Sequence, residues 1–148
     1  MANSVKFDFG SEMAGILPLL LREVVRKQDM IKLGKELSHD HVAIIDLLTE
    51  KGSSRMSRIA AALNLTMGAV TGIIDKMVAN GLVKRERPGS DRRVVKVTLL
   101  KKGQEAARRI NKMRRELTNE LYASLSEKEK RTYVTLLKKV YTDIGQRQ

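Results

Sequence analysis

From about Gly10 to Lys35 the apolar residues Met13, Leu17, Leu20, Val24 and Ile31 recur at helical intervals with charged residues between them, which predicts a long amphipathic helix after a loose arm over residues 1–9. Pro18 has no backbone N–H and fits only a first turn or a kink, so the regular part is expected to begin near Ile16. Ser38 is a suitable N-cap for a second helix bearing Val42, Ile45, Leu47 and Leu48 and stopping near Gly52. Arg58 to Leu63 reads as a short helix, and Asn64-Leu65 as a tight connection. Thr66 then caps a third helix carrying Val70, Ile73, Ile74, Met77 and Val78 and ending at Gly81.

This last stretch has the logic of a helix-turn-helix. Ile59, Ala60, Leu63, Leu65, Val70 and Ile73 fill the positions where two helices crossing steeply around a short turn need apolar contacts. Asn64 tolerates the positive φ that such a turn demands. Leu82 to Arg87 and Val94 to Leu99 then alternate between apolar and charged residues. The turn-forming Pro88-Gly89-Ser90-Asp91-Arg92-Arg93 lies between them, which predicts a β-hairpin. A helix-turn-helix followed at once by a basic hairpin is a winged helix. Two further helices are expected. One runs from about Lys101 to Ser124, with Ala107, Ile110, Met113, Leu117 and Leu121 as its stripe. The other runs from Glu127 to Gly145 behind a Ser126/Glu129 capping box, with Tyr133, Leu136, Leu137, Val140, Tyr141 and Ile144 on its apolar face. The fold class is therefore mainly α with a small β-hairpin wing (α+β), a winged helix-turn-helix core between N- and C-terminal helices.

Composition narrows the chemistry. In 148 residues there is no cysteine, which excludes disulfides, thiolate metal sites, a cysteine nucleophile and a thiol redox switch. The apolar run Ile16 to Leu21 is far short of the roughly 20 residues that span a bilayer and has no signal-peptide flanks, so a cytoplasmic protein without a membrane partner is expected. Lysine and arginine outnumber aspartate and glutamate by 29 to 17, a net charge of +12, and Lys84 to Arg115 alone carries 13 against 3. That segment is the wing and the helix behind it, and the partner it implies is a polyanion.

A helix-turn-helix offers the first turn of its second helix to base edges in the major groove. Here the turn holds Thr66, Met67, Gly68, Ala69 and Thr71, which suit close backbone approach and thymine methyl contact. No Arg, Asn or Gln occurs from Thr66 to Ile74, so direct readout is expected to be modest and DNA shape to contribute more of the discrimination. Arg92 and Arg93 at the hairpin tip have the reach to enter a minor groove, with Asp91 placed to hold one guanidinium. Lys76, Arg85 and Arg87 are candidate phosphate contacts, joined by Arg55 and Arg58. No enzyme, cofactor or metal is expected. His39 and His41 are the only histidines, and their i,i+2 spacing puts them on different helix faces, the pattern of structural or surface residues. The alternative function is a non-specific architectural DNA-binding or RNA-binding protein. Against it, Tyr122, Tyr133 and Tyr141 fall on or near apolar stripes and, with Phe7 and Phe9, form no evident base-stacking platform.

From Leu37 to Gly103 the chain resembles the MarR family of bacterial winged-helix regulators. The resemblance is carried by Leu37-Ser38, Met56-Ser57-Arg58-Ile59-Ala60, Val70-Thr71-Gly72-Ile73-Ile74-Asp75-Lys76, Gly81-Leu82-Val83-Lys84-Arg85, the wing Asp91-Arg92-Arg93-Val94-Val95, and Lys102-Gly103. It implies a homodimer: residues 1–36 as arm and dimerisation helix, 37–100 as the DNA-binding lobe, and 101–148 as C-terminal dimerisation helices. It further implies a pseudo-palindromic double-stranded operator, recognition helices in major grooves and the wing arginine in a minor groove. Many members repress transcription and release DNA when a small-molecule effector binds, which is the expectation here. Two positions depart from the family pattern: Leu100 replaces a capping threonine, and His41 a common glutamine.

Overall fold

A computed structural model describes residues 7–30, 37–87 and 94–146, the last three residues of the first helix by backbone only. The elements are α1 (Phe9–Met30), α2 (His39–Lys51), β1 (Ser53–Arg55), α3 (Met56–Leu63), α4 (Met67–Ala79), β2 (Val83–Glu86), β3 (Lys96–Leu99), α5 (Lys101–Leu121) and α6 (Glu127–Gln146). The mainly helical winged helix-turn-helix is the architecture expected. The chain divides into two compact units, residues 1–111 and 112–148, each described by itself.

α1 starts well before Ile16. Asp8 caps it: its carboxylate accepts from the Gly10 N–H at 3.1 Å and the Ser11 hydroxyl at 2.5 Å, and the Glu12 N–H donates to the Asp8 carbonyl at 3.1 Å. Pro18 therefore lies inside the helix rather than in its first turn, and helical geometry continues through it although proline donates no bond to Ala14. Leu20 and Val24 are half-buried, whereas Met13 and Leu17 are exposed, and Ile31 lies outside the described residues.

α2 begins where Ser38 was expected to cap it, and the capping box is closed by a histidine. Ser38 Oγ accepts from the His41 N–H at 3.4 Å, and the Ser38 N–H donates to His41 Nδ1 at 3.0 Å. A glutamine or glutamate does this work in the usual box. The acceptor role leaves Nδ1 unprotonated and puts the proton on Nε2, a buried atom without a hydrogen-bond partner among the described residues. Gly52, at φ 72°, ends the helix, its N–H donating to the Leu48 carbonyl.

The helix-turn-helix is made by two helix ends of the same kind. Asn64 sits in the left-handed region (φ 51°, ψ 44°), the Leu65 N–H donates to the Ala60 carbonyl at 2.9 Å, and the Asn64 N–H to the Ala61 carbonyl at 3.3 Å. Gly81, at φ 69°, repeats the arrangement: the Leu82 N–H donates to the Met77 carbonyl and the Gly81 N–H to the Val78 carbonyl, both at 2.9 Å. These are Schellman closures, and the second seals with buried Met77 and Leu82. Together they turn the chain by 111° between α3 and α4 and then deliver it into β2.

α3 starts at Met56, two residues earlier than Arg58. No side chain caps it; the Met56 N–H donates instead to the Val95 carbonyl at 3.1 Å, a long-range bond with no local sequence signal. The sheet is also larger than a hairpin. β1 adds a third antiparallel strand in the order β1-β3-β2, pairing Ser54 with Val97, while β2 pairs Val83 with Leu99 and Arg85 with Val97. Ser-Ser-Arg has no strand pattern of its own and becomes a strand because β3 offers an open edge.

The lobe's core holds Ile44, Ile45 and Leu48 of α2, Ile59 and Ala60 of α3, Val70, Ile74 and Met77 of α4, Leu82 and Val83 at the wing's base, Val97 and Leu99 of β3, and Ala106, Ala107 and Ile110 of α5. Each fully buried large side chain contributes about 1.5–3 kcal/mol. Val78, expected in the α4 stripe, is exposed instead. At Leu100, the Leu100 N–H donates to the Leu82 carbonyl and the Leu100 carbonyl accepts from the Gln104 N–H, both at 2.9 Å, so α5 starts without a threonine cap. One turn on, a Cβ at Gly103 would stand 2.2 Å from the Leu82 carbonyl oxygen, so only glycine lets helix and wing base meet.

In the second unit, α5 ends at Leu121 and not Ser124, and the chain turns between Tyr122 and Ser126. The Tyr122 and Tyr133 hydroxyls meet at 3.1 Å across this turn, and that bond, with burial, pushes the Tyr122 phenol up to about 12. The Ser126/Glu129 capping box is present: Glu129 Oε2 accepts from the Ser126 N–H at 2.8 Å and Ser126 Oγ from the Glu129 N–H at 3.4 Å. No residue of α6 is buried. Among the described residues no single helix is long and apolar enough to cross a membrane.

Candidate nucleic-acid interface

α4 divides into two faces. Val70, Ile74 and Met77 are buried, which fixes the helix on the lobe and turns Thr66, Met67, Gly68, Ala69, Thr71 and Lys76 outward. Thr66 Oγ1 accepts from the Ala69 N–H at 3.2 Å, satisfying one first-turn donor, and the Thr71 hydroxyl donates back to the Met67 carbonyl at 2.8 Å. The exposed surface of this turn is thus two methylated hydroxyl side chains, a half-exposed methionine, and a glycine and an alanine that keep the backbone accessible. A rigid helix with no charged side chain in its first turn can approach a groove closely.

The first turn of α4 opens onto a cleft of about 620 Å³ lined by Arg55, Met56, Ser57, Met67, Thr71, Arg85, Arg87, Val94 and Val95. β1, α4 and β2, with Arg87 just past the end of β2, thus bring five of the residues singled out in the sequence, Arg55, Met67, Thr71, Arg85 and Arg87, around one concavity. Arg58 is exposed on α3 but does not line it. Asp91, Arg92 and Arg93 lie outside the described residues.

Arg85 differs from the other cations. Its NH1 pairs with Asp75 Oδ1 at 2.6 Å and its NH2 donates to the Thr71 carbonyl at 3.1 Å, so the side chain reaches back to α4. Asp75 was not among the site residues read from the sequence. Strand alternation gives Arg85 the same face of β2 as buried Val83, although Arg85 is itself exposed, and that alternation does not name Asp75 as the partner. His39 is exposed at the start of α2, and His41 serves the cap of that helix. Among the described residues no three His, Asp or Glu side chains form a candidate metal site.

A helix-turn-helix packed on a three-stranded sheet, its second helix exposed and its wing basic, defines the winged-helix class of DNA-binding proteins. The sequence profile of the MarR family matches residues 37–95. YpoP of Bacillus subtilis, an uncharacterised HTH-type transcriptional regulator, is 24% identical over 133 residues, which are 88% of this chain and 94% of that protein. A MarR family protein from Bacillus stearothermophilus matches the fold with a TM-score of 0.80 at 21% identity, over 91% of this chain and 94% of its own. Streptococcus pneumoniae FabT, solved in complex with DNA, matches with a TM-score of 0.71 at 20% identity, over 95% of this chain and 100% of its own. Over residues 37–95 the chain thus matches the MarR family, and its relatives are named as HTH-type transcriptional regulators.

Proposed function

We propose that the protein is a homodimeric repressor that binds a pseudo-palindromic double-stranded operator with half-sites about one helical turn apart. In each subunit the α4 face of Thr66, Met67, Gly68, Ala69 and Thr71 enters a major groove, and Arg92 and Arg93 of the wing enter the adjacent minor groove, with Asp91 orienting one of them. Arg55, Arg58, Lys76 and Arg87 contact phosphates. The observation that carries this reading is the split of α4, with Val70, Ile74 and Met77 buried on one side and only uncharged side chains presented by its first turn on the other. FabT, with the same fold, was solved on DNA, which supports the same use here.

Residues 1–36 and 101–148 act as dimerisation segments and 37–100 as the DNA-binding lobe. Support comes from the apolar residues that α1 and α6 leave exposed, among them Ile16, Leu19 and Val25 on α1 and Leu136, Leu137 and Val140 on α6. Release from the operator is assigned to a small-molecule effector, as the MarR resemblance implies; a chain without cysteine has no thiol whose oxidation could serve instead. Selection of bound duplexes from a random DNA pool tests the reading. The expected product is a two-fold related motif whose halves are about 10 base pairs apart. Recovery of duplexes without a common motif would support the non-specific architectural reading instead.

A further inference from the structure

Side chains alternate across β2, so Arg85 shares a face with buried Val83 and stands opposite buried Val97, on the side of the sheet that packs against the core. From there its planar guanidinium spans one turn of α4, with Asp75 Oδ1 at 2.6 Å and the Thr71 carbonyl at 3.1 Å. Residue 71 supplies a side chain to the exposed recognition face and its backbone to this clasp. Asp75 is 58% exposed on the same helix, where an unpaired carboxylate would repel phosphate.

We propose that Arg85 and Asp75 form a positioning pair that fixes α4 relative to the wing, and so fixes the offset between the major-groove and minor-groove contacts of one subunit. Arg85 then acts through the helix rather than on a phosphate. Arginine is required because its fork donates two bonds in fixed geometry, whereas lysine offers one point charge. The inference rests on DNA binding by α4 and the wing.

The test compares Asp75→Asn, Arg85→Lys and the double variant with the wild-type chain on its selected duplex, over a range of salt concentrations. Each single variant is expected to bind about three- to tenfold more weakly. The double variant should bind no more weakly than the weaker single one, with an unchanged dependence of log K on log salt. Both side chains are partly exposed, so wild-type thermal unfolding is expected as well. The proposal is overturned if Arg85→Lys retains full affinity while Asp75→Asn binds as tightly as wild type or more tightly, the signature of a cation on phosphate beside a repelling carboxylate. A wild-type chain that selects no duplex would count against the DNA-site reading and leave the variants without a reference, so the two failures are distinguishable.

Discussion

α4 and α6 carry apolar stripes of similar spacing, yet α4 buries Val70, Ile74 and Met77 completely while α6 leaves Leu136, Leu137, Val140 and Ile144 each at least half exposed. The difference follows from what surrounds each helix. α4 is flanked in sequence by α3 and β2, both held to it by Schellman closures, so its apolar side meets a core of its own chain. α6 is fastened at its N-terminal end by a capping box and the Tyr122–Tyr133 contact, and among the described residues of its unit nothing covers the stripe beyond Tyr133. The lobe is complete within one chain. The C-terminal unit leaves an apolar face exposed, and in the proposed dimer a second copy covers that face, so that two copies of α4 reach one duplex.

Four perturbations sharpen that contrast, taken from the largest effect to the smallest. Replacing Leu137 and Val140 together with glutamate puts charge on the α6 stripe without touching the lobe. Sedimentation should then show monomers, with operator affinity down by about two orders of magnitude or more as avidity is lost. An unchanged dimer would remove the role given to α6. Ile74→Ala acts on the other side of the comparison. It opens a cavity in the closed core and should lower lobe stability by about 2–5 kcal/mol in chemical denaturation, leaving the association state of the folded fraction unchanged. Arg93→Ala should weaken operator binding by about 1–3 kcal/mol with the unfolding midpoint unmoved, as measured by fluorescence anisotropy and thermal melting.

The smallest effect concerns His41. Burial, the largest cause, and the Lys76 charge lower its pKa below the ordinary 6.5, while Asp40 opposes them. The unfolded chain therefore binds this proton more readily than the folded one. Stability is full above about pH 6.5 and falls as the pH drops below it, levelling off once the folded-state pKa has been passed. Protonation would place a second donor against the Ser38 N–H and open the α2 cap. His41→Gln preserves a box acceptor and should flatten this acid-side slope in melts between about pH 5 and 7.

What could be read from the sequence, and what could not, divides along the same physical lines. The helix-turn-helix was readable because its determinants are local: Thr66 caps, Asn64 and Gly81 accept positive φ, and Val70 and Ile74 repeat at helical spacing. Contributions made by distant residues were not. β1 exists through pairing with β3, and α3 begins at Met56 because the Val95 carbonyl receives its first N–H. α1 begins early because Asp8 caps it, a local signal outweighed in the reading by Pro18. At the site, the exposed turn of α4 followed from periodicity, whereas the engagement of Arg85 needed the partner Asp75 ten residues earlier.

The central claim is that two copies present two α4 helices to one duplex, and the number of chains on that duplex tests it most directly. Sedimentation of the complex formed with a selected duplex should give two chains per duplex, with no stable one-chain complex at lower occupancy. A single chain bound with full affinity to a lone half-site would contradict it.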